Sequence, residues 1–70
     1  MNNSMDNLVA YYAGSEVKVI NEYHPHFCAI GQVIGGENTD TGFGLKIKRF
    51  DTQEQFYVYD ANHLKITKRK

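Results

Sequence analysis

Seventy residues with one cysteine, Cys28, and equal numbers of acidic and basic side chains bound the problem at once. The length allows one small domain, and a single thiol excludes an internal disulfide and any multi-cysteine zinc centre, favouring a reducing, cytoplasmic setting. The zero net charge hides a split: residues 1–44 carry Lys18 against Asp6, Glu16, Glu22, Glu37 and Asp40, for −4, and residues 45–70 carry +4.

The opening "MNNSMDNLVAYYAG" has neither the basic start nor the apolar core of a signal peptide. It predicts a short helix instead. Ser4 is placed to cap it, Met5, Leu8, Val9 and Tyr12 fall on one apolar face, and Gly14 is placed to stop it. About two and a half turns are marginal alone in water, so the helix needs a docking site. "SEVKVIN" alternates and predicts a first strand with Val17 and Val19 inward. A long loop, "NEYHPHFC", follows. "AIGQVIG" predicts a second strand and Gly35-Gly36 a turn, with "GENTDTGFG" as a long hairpin loop. "FGLKIKRF" places Phe43, Leu45 and Ile47 on one face and Lys46 and Lys48 on the other. "EQFYVYD" places Phe56 and Val58 opposite Tyr57 and Tyr59. "DANH" suits one turn of 3-10 helix capped by Asp60, and "LKIT" closes the pattern with Leu64 and Ile66 inward.

The expected core is Val17, Val19, Ile30, Val33, Phe43, Leu45, Ile47, Phe56, Val58, Leu64 and Ile66. Ile20 and Ile34 fall out of phase with it. They form an apolar patch on which the helix is expected to dock. Five short strands are best used by curling into a small barrel, which leaves few edges exposed.

The order strand, long loop, strand, hairpin, strand, turn, strand, helical turn, strand resembles an SH3-like barrel. Within it "VKVINEYHPHFCAIGQVI" is similar to the KOW-type element of ribosomal and transcription-factor SH3-like domains, through Val17, Val19, Gly31 and Val33. The "YDANHLKI" ending looks like the helical turn and last strand of such barrels. The ALYDY segment and paired tryptophans of proline-peptide-binding SH3 domains are absent, and Asn21-Glu22-Tyr23 stands where KOW elements often carry a glycine. The expected architecture is mainly β: a helical extension over residues 1–14, a single five-stranded SH3-like barrel over residues 15–67 with a one-turn 3-10 helix before the last strand, and a basic tail over residues 68–70.

Four constellations carry candidate chemistry. In His24-x-His26-x-Cys28, imidazole and thiolate are good zinc ligands, with His63 a candidate fourth. Pro25 interrupts the alternation, however, and the spacing is uncommon for zinc, so no metal or other cofactor is expected. Cys28 beside a histidine has the residue types of a nucleophile pair, but no oxyanion hole is evident, and no enzyme activity is expected; a small, partly buried apolar role suits the thiol better. The glycines of "GQVIGGENTDTGFG" lack the order of a phosphate-binding loop. Lys46, Lys48, Arg49, Tyr57 and Tyr59 combine basic and aromatic side chains that would suit nucleic acid.

The long first loop offers the remaining reading. Resemblance to SH3-like barrels implies that this loop borders the ligand surface, which nominates Tyr23, His24, His26 and Phe27 for protein binding. The bland alternative is a loop pinned to the barrel by Tyr23 and Phe27. The sequence thus predicts a non-enzymatic, cytoplasmic module that binds a protein, with nucleic acid as the alternative partner and no membrane segment.

Overall fold

The computed structural model describes residues 4–70, with side chains from residue 7 onward. The elements, in chain order, are α1 (Ser4–Tyr12), β1 (Glu16–Val19), β2 (Ile30–Thr39), β3 (Gly42–Arg49), β4 (Gln55–Val58), a 3-10 turn (Ala61–His63) and β5 (Leu64–Lys68). All five strands form one antiparallel sheet in the order β4-β3-β2-β1-β5. The protein is therefore mainly β, as its alternation predicts.

One face of this sheet supplies the whole core. Val17 and Val19, Val33, Leu45 and Ile47, Phe56 and Val58, and Leu64 come from all five strands and pack into a single buried cluster with Ala29. A flat sheet cannot bury its own face, so the sheet curls around these side chains. Phe43 and Ile66 pack against the cluster while half-buried.

Ile30 is the exception among the expected core residues. It is 43% exposed, because Ala29, Gly31 and Val33 take the inward positions of the strand and Ile30 pairs with the outward Lys18. An inward glycine leaves no apolar mark, and Ile30 beside it borrows the signal.

The hairpin after β2 also differs from expectation. Gly35-Gly36 does not turn the chain. β2 continues to Thr39 and pairs with β3 down to Thr39↔Gly42, so Asp40 and Thr41 alone form the turn. The polar tract looked like a loop because this far end of the ribbon has little core to cover. A register shift lies between Val33 and Gly35. Gly36 makes room for the helix: a Cβ there would lie 2.8 Å from Phe43 Cζ and 2.9 Å from Val9 Cγ2.

The helix thus docks through Leu8, Val9 and Tyr12, all partly buried against the core. It does not cover Ile20 and Ile34, which remain 46% and 44% exposed; the expected docking patch is not the one used. The expected cap Ser4 and the face residue Met5 lie outside the described side chains. After the helix, Gly14 N donates to Val33 O and Val33 N to Ser15 O, which stitches the connection to β2.

Deleting residues 1–13 spares that stitch and removes the apolar cover. Partial burial of three such side chains is worth on the order of 3 kcal/mol, and each kcal/mol moves the Tm of a domain this size by about 4–8 °C. A thermal melt should therefore fall by more than ten degrees or so. An unchanged Tm would show that the helix contributes nothing to the core.

At the other end, Asp60 caps the 3-10 turn as expected, its carboxylate accepting from Asn62 N. β5 takes in Lys68, so the segment expected as a basic tail begins inside the sheet. Arg69 lies over the Tyr11 ring, 4.6 Å from its centroid, and donates to its hydroxyl.

Candidate functional site

The sheet has two edge strands, β4 and β5, and the first loop crosses the open end between them. Two histidines hold it there. The His26 backbone N–H donates to His24 Nδ1 at 3.0 Å, and His24 Nε2 reaches the Tyr57 carbonyl of β4 at 3.1 Å. A carbonyl can only accept and a backbone N–H only donate, so these contacts use Nε2 as donor and Nδ1 as acceptor. One ring therefore satisfies a loop donor and an edge-strand acceptor together.

His26 does the corresponding work on the core. Its ring stacks on Phe56, with centroids 4.2 Å apart and planes within 15°. Arg49 Nη1 donates to its Nδ1 at 3.1 Å, and its Nε2 faces Glu54 Oε2 at 3.7 Å. Arg49 is itself clamped by Asp51, through Nε at 2.9 Å and Nη2 at 2.7 Å. That two-point hydrogen bond with Arg49 holds the Asp51 carboxyl below the usual carboxylate range. Asp51 therefore stays ionised above that lowered value, and the clamp is lost only as pH falls through it.

The roles within the loop are thus the reverse of the bland expectation. The histidines pin it, and the aromatics point away: Tyr23 is 87% exposed and Phe27 47%. Of the four residues nominated for protein binding, Tyr23 and Phe27 are available to a partner, while His24 and His26 are struts. The loop further closes on itself through Phe27 N to His24 O and Ala29 N to His26 O, and Cys28 N donates to Val19 O.

The same struts bear on His24-x-His26-x-Cys28. All four imidazole nitrogens already face protein groups. Cys28 is exposed, not partly buried as expected, at a φ of 71°. His63 faces Asn21 at 3.4 Å and Asp60 at 3.7 Å. These contacts leave the three rings no free lone pairs converging with the thiolate.

The basic-aromatic constellation divides. Lys46 and Tyr57 are directly paired across β3 and β4. The Tyr57 and Tyr59 rings stack with centroids 6.2 Å apart, lying so close over Gly44 that a Cβ there would meet both. Lys46 Nζ sits 5.9 Å from the Tyr57 centroid and 3.8 Å from Glu37 Oε1. Hydrogen bonding to Glu37, with partial desolvation, raises the Tyr57 phenol above its ordinary pKa. Lys48 lies further along the strand, between Gln32 and Gln55. Arg49 is absent from this surface, being turned to His26 and Asp51 at the end of the core.

Phe50 is the surface residue that pattern reading missed. It is 50% exposed, and its N–H donates to the carbonyl of Ile30, so two exposed apolar side chains adjoin on the outside of the sheet. Its place just after β3 gave it no face in the alternation. Among the described residues, no helix is long and apolar enough to cross a membrane. No protein-family model, curated protein or solved structure matches the chain.

Proposed function

We propose that the protein is a non-enzymatic binding module whose ligand is another protein, held through the long first loop and the neighbouring sheet surface. The observation that carries this reading is Tyr23, almost fully exposed on a loop that His24 and His26, just after it, tie to Tyr57 and Arg49. Large aromatic side chains are the usual anchors of interfaces, and a loop already ordered loses little entropy on binding. The resemblance to SH3-like barrels, whose first loop borders the ligand surface, supports the same face. A binding module of this size suits an adaptor, or an inhibitor of a larger assembly of the kind phages and mobile elements encode. Its single thiol suits the cytoplasm.

A second reading rests on the Tyr57–Tyr59 pair with Lys46 and Lys48. Stacked rings beside cations suit single-stranded nucleic acid, although Glu37 already neutralises Lys46. Affinity capture from the native host, with and without nuclease, separates the two. Protein binding predicts a co-purifying protein that survives nuclease, is lost with Tyr23→Ala and is kept with Lys48→Glu. Capture that vanishes with nuclease or with Lys48→Glu, and weakens steeply with salt, would replace the first reading by the second.

A further inference from the structure

The cations of the sheet fall into two groups. Lys46 and Arg49 meet Glu37 and Asp51. Lys18, Lys48, Lys65 and Lys68 meet no carboxylate among the described residues. Lys18 and Lys65 stand directly opposite one another on β1 and β5, where like charges destabilise a sheet. Glu16, the acid nearest in the strand, is held instead by the Thr67 hydroxyl at 2.7 Å. Uncompensated charge therefore gathers on β1 and β5, where Lys18, Lys65 and Lys68 lie on adjoining strands, whereas Lys48 stands alone between two glutamines on β3.

Apolar surface adjoins these charges. Lys18 pairs on its other side with Ile30, and Ile30 is bonded to Phe50. Lys65, Lys18, Ile30 and Phe50 thus form one row across the outside of the sheet. Phe50 stands as a ridge between two open depressions that share Glu16. The larger, about 460 Å³, runs along Cys28 and Ile30 to the Arg49–Asp51 pair, whose charges cancel one another, so it is the apolar seat of the face. The smaller, about 240 Å³, ends at Lys68 and Arg69.

We infer that this outer face of β1, β2 and β5 binds an extended peptide that alternates acidic and apolar side chains. An apolar side chain lies in the depression between Ile30 and Phe50, and carboxylates meet Lys18 and Lys65 on one side and Lys68 at the far end. The opposed lysines supply the charge complementarity: an acidic group placed between them removes a repulsion the free protein carries. The apolar row favours a peptide over a nucleic acid, which could stack at most one base, on Phe50, and would leave Ile30 without a partner. This rests on the protein-binding reading and names the partner's chemistry, on a face distinct from Tyr23.

The test is an NMR titration of the ¹⁵N-labelled full chain with a short synthetic peptide alternating glutamate and leucine. Parallel titrations use a lysine–leucine peptide, a glutamate–serine peptide and a single-stranded oligonucleotide. Saturable amide shifts at Lys18, Ile30, Phe50 and Lys65 with the first peptide only are expected. Binding should weaken about tenfold or more in Lys18→Glu/Lys65→Glu and in Phe50→Ser, and should be retained in Tyr23→Ala. Shifts confined to residues 21–28, equal binding of the lysine–leucine peptide or the oligonucleotide, shifts that follow protein concentration alone, or no shift at all would overturn it. Because capture through Tyr23 is read separately, a negative titration beside a positive capture refutes this face and leaves the loop reading standing.

Discussion

Gly31→Ala should destabilise the chain by about 3 kcal/mol or more. An ideal Cβ at Gly31 would sit 2.3 Å from the Lys48 carbonyl oxygen and 2.8 Å from its carbon, with Ile47 Cγ2 at 3.0 Å. The first two obstacles are backbone, so no rotamer change relieves them. β2 cannot step aside either, because Gly31 pairs with Arg49 on β3 and with Val17 on β1, and moving from one ladder strains the other. Overpacking a core costs about 1–3 kcal/mol when side chains can yield, and a clash of main chain against methyl belongs at or above the top of that range. A domain of this length has on the order of 4–10 kcal/mol in total. Gly36→Ala is the control: its two nearest obstacles are side-chain carbons of Phe43 and Val9, which can shift, and the one main-chain atom, Gly44 O, stands further off at 3.2 Å. Far-UV circular dichroism and urea titration should show Gly36→Ala with a modestly lowered midpoint and Gly31→Ala with a midpoint lowered far more. A Gly31→Ala variant that melts within a few degrees of the parent would mean that β2 and β3 do not approach as described.

Gly31 also explains where pattern reading stops. Alternation reports a strand's phase only through the residues that carry side chains. On β1, β3 and β4 the inward positions are Val17 and Val19, Leu45 and Ile47, Phe56 and Val58, and the phase is plain from sequence. On β2 the inward position beside Ile30 is Gly31, so the visible isoleucine takes the place of the invisible glycine. The same blindness turned Gly36 into a turn. A glycine that bends the chain and one that lets a helix lie against a strand look alike until the helix is placed, and Val9 meets Gly36 across a long sequence gap. Short connections make neighbours of β2, β3 and β4, whereas the β1–β5 pairing joins the two ends of the strand pattern and leaves no local mark in the sequence.

The site was legible as a place and not as a set of roles. The loop from Asn21 to Cys28 draws attention by its density of rings, but composition sends aromatics inward and histidines outward. Two conditions reverse that. The loop must cross the open end of the core, where β4 offers the Tyr57 carbonyl, and it must cover the Phe56 ring without leaving polar atoms unpaired. Imidazole meets both, having an aromatic face and two nitrogens of opposite hydrogen-bonding sense. Tyrosine has one polar atom and phenylalanine none, so Tyr23 and Phe27 are left outside. The basic patch fails to read for a related reason. Lys46 and Arg49 are conspicuous near the tyrosines in sequence, but their carboxylates, Glu37 and Asp51, become partners only through the β2–β3 pairing and the turn after β3. Lys18 and Lys65 are far apart in the chain, and only the β1–β5 register sets them face to face.

His26→Ala should lower the Tm by roughly 5–15 °C and loosen the first loop without unfolding the sheet. The substitution removes the ring stacked on Phe56 and opens that otherwise buried face to water. It also deprives Arg49 Nη1 of its acceptor while leaving the Asp51 clamp intact. Loss of a half-buried ring and one charge-assisted hydrogen bond costs about 1–2 kcal/mol, and the conversion for a small domain gives the stated fall. Hydrogen exchange should locate the change. The amides of Phe27, Cys28 and Ala29, bonded within the loop or to Val19, should exchange faster, while those of Val17 and Ile47 in the sheet keep their protection. His26→Phe separates the two contributions, because it restores the stack and not the acceptor, and it should recover most of the Tm. Binding ties this to function. If the histidines order the loop in advance, His26→Ala must weaken capture of the protein partner although it leaves Tyr23 in place, since the partner then has to supply the ordering entropy. Tyr23→Ala should weaken capture at an unchanged Tm. Equal capture by His26→Ala and the parent, with the loop amides demonstrably freed, would mean that Tyr23 binds without the strut, and the arrangement of His24 and His26 would then serve stability alone.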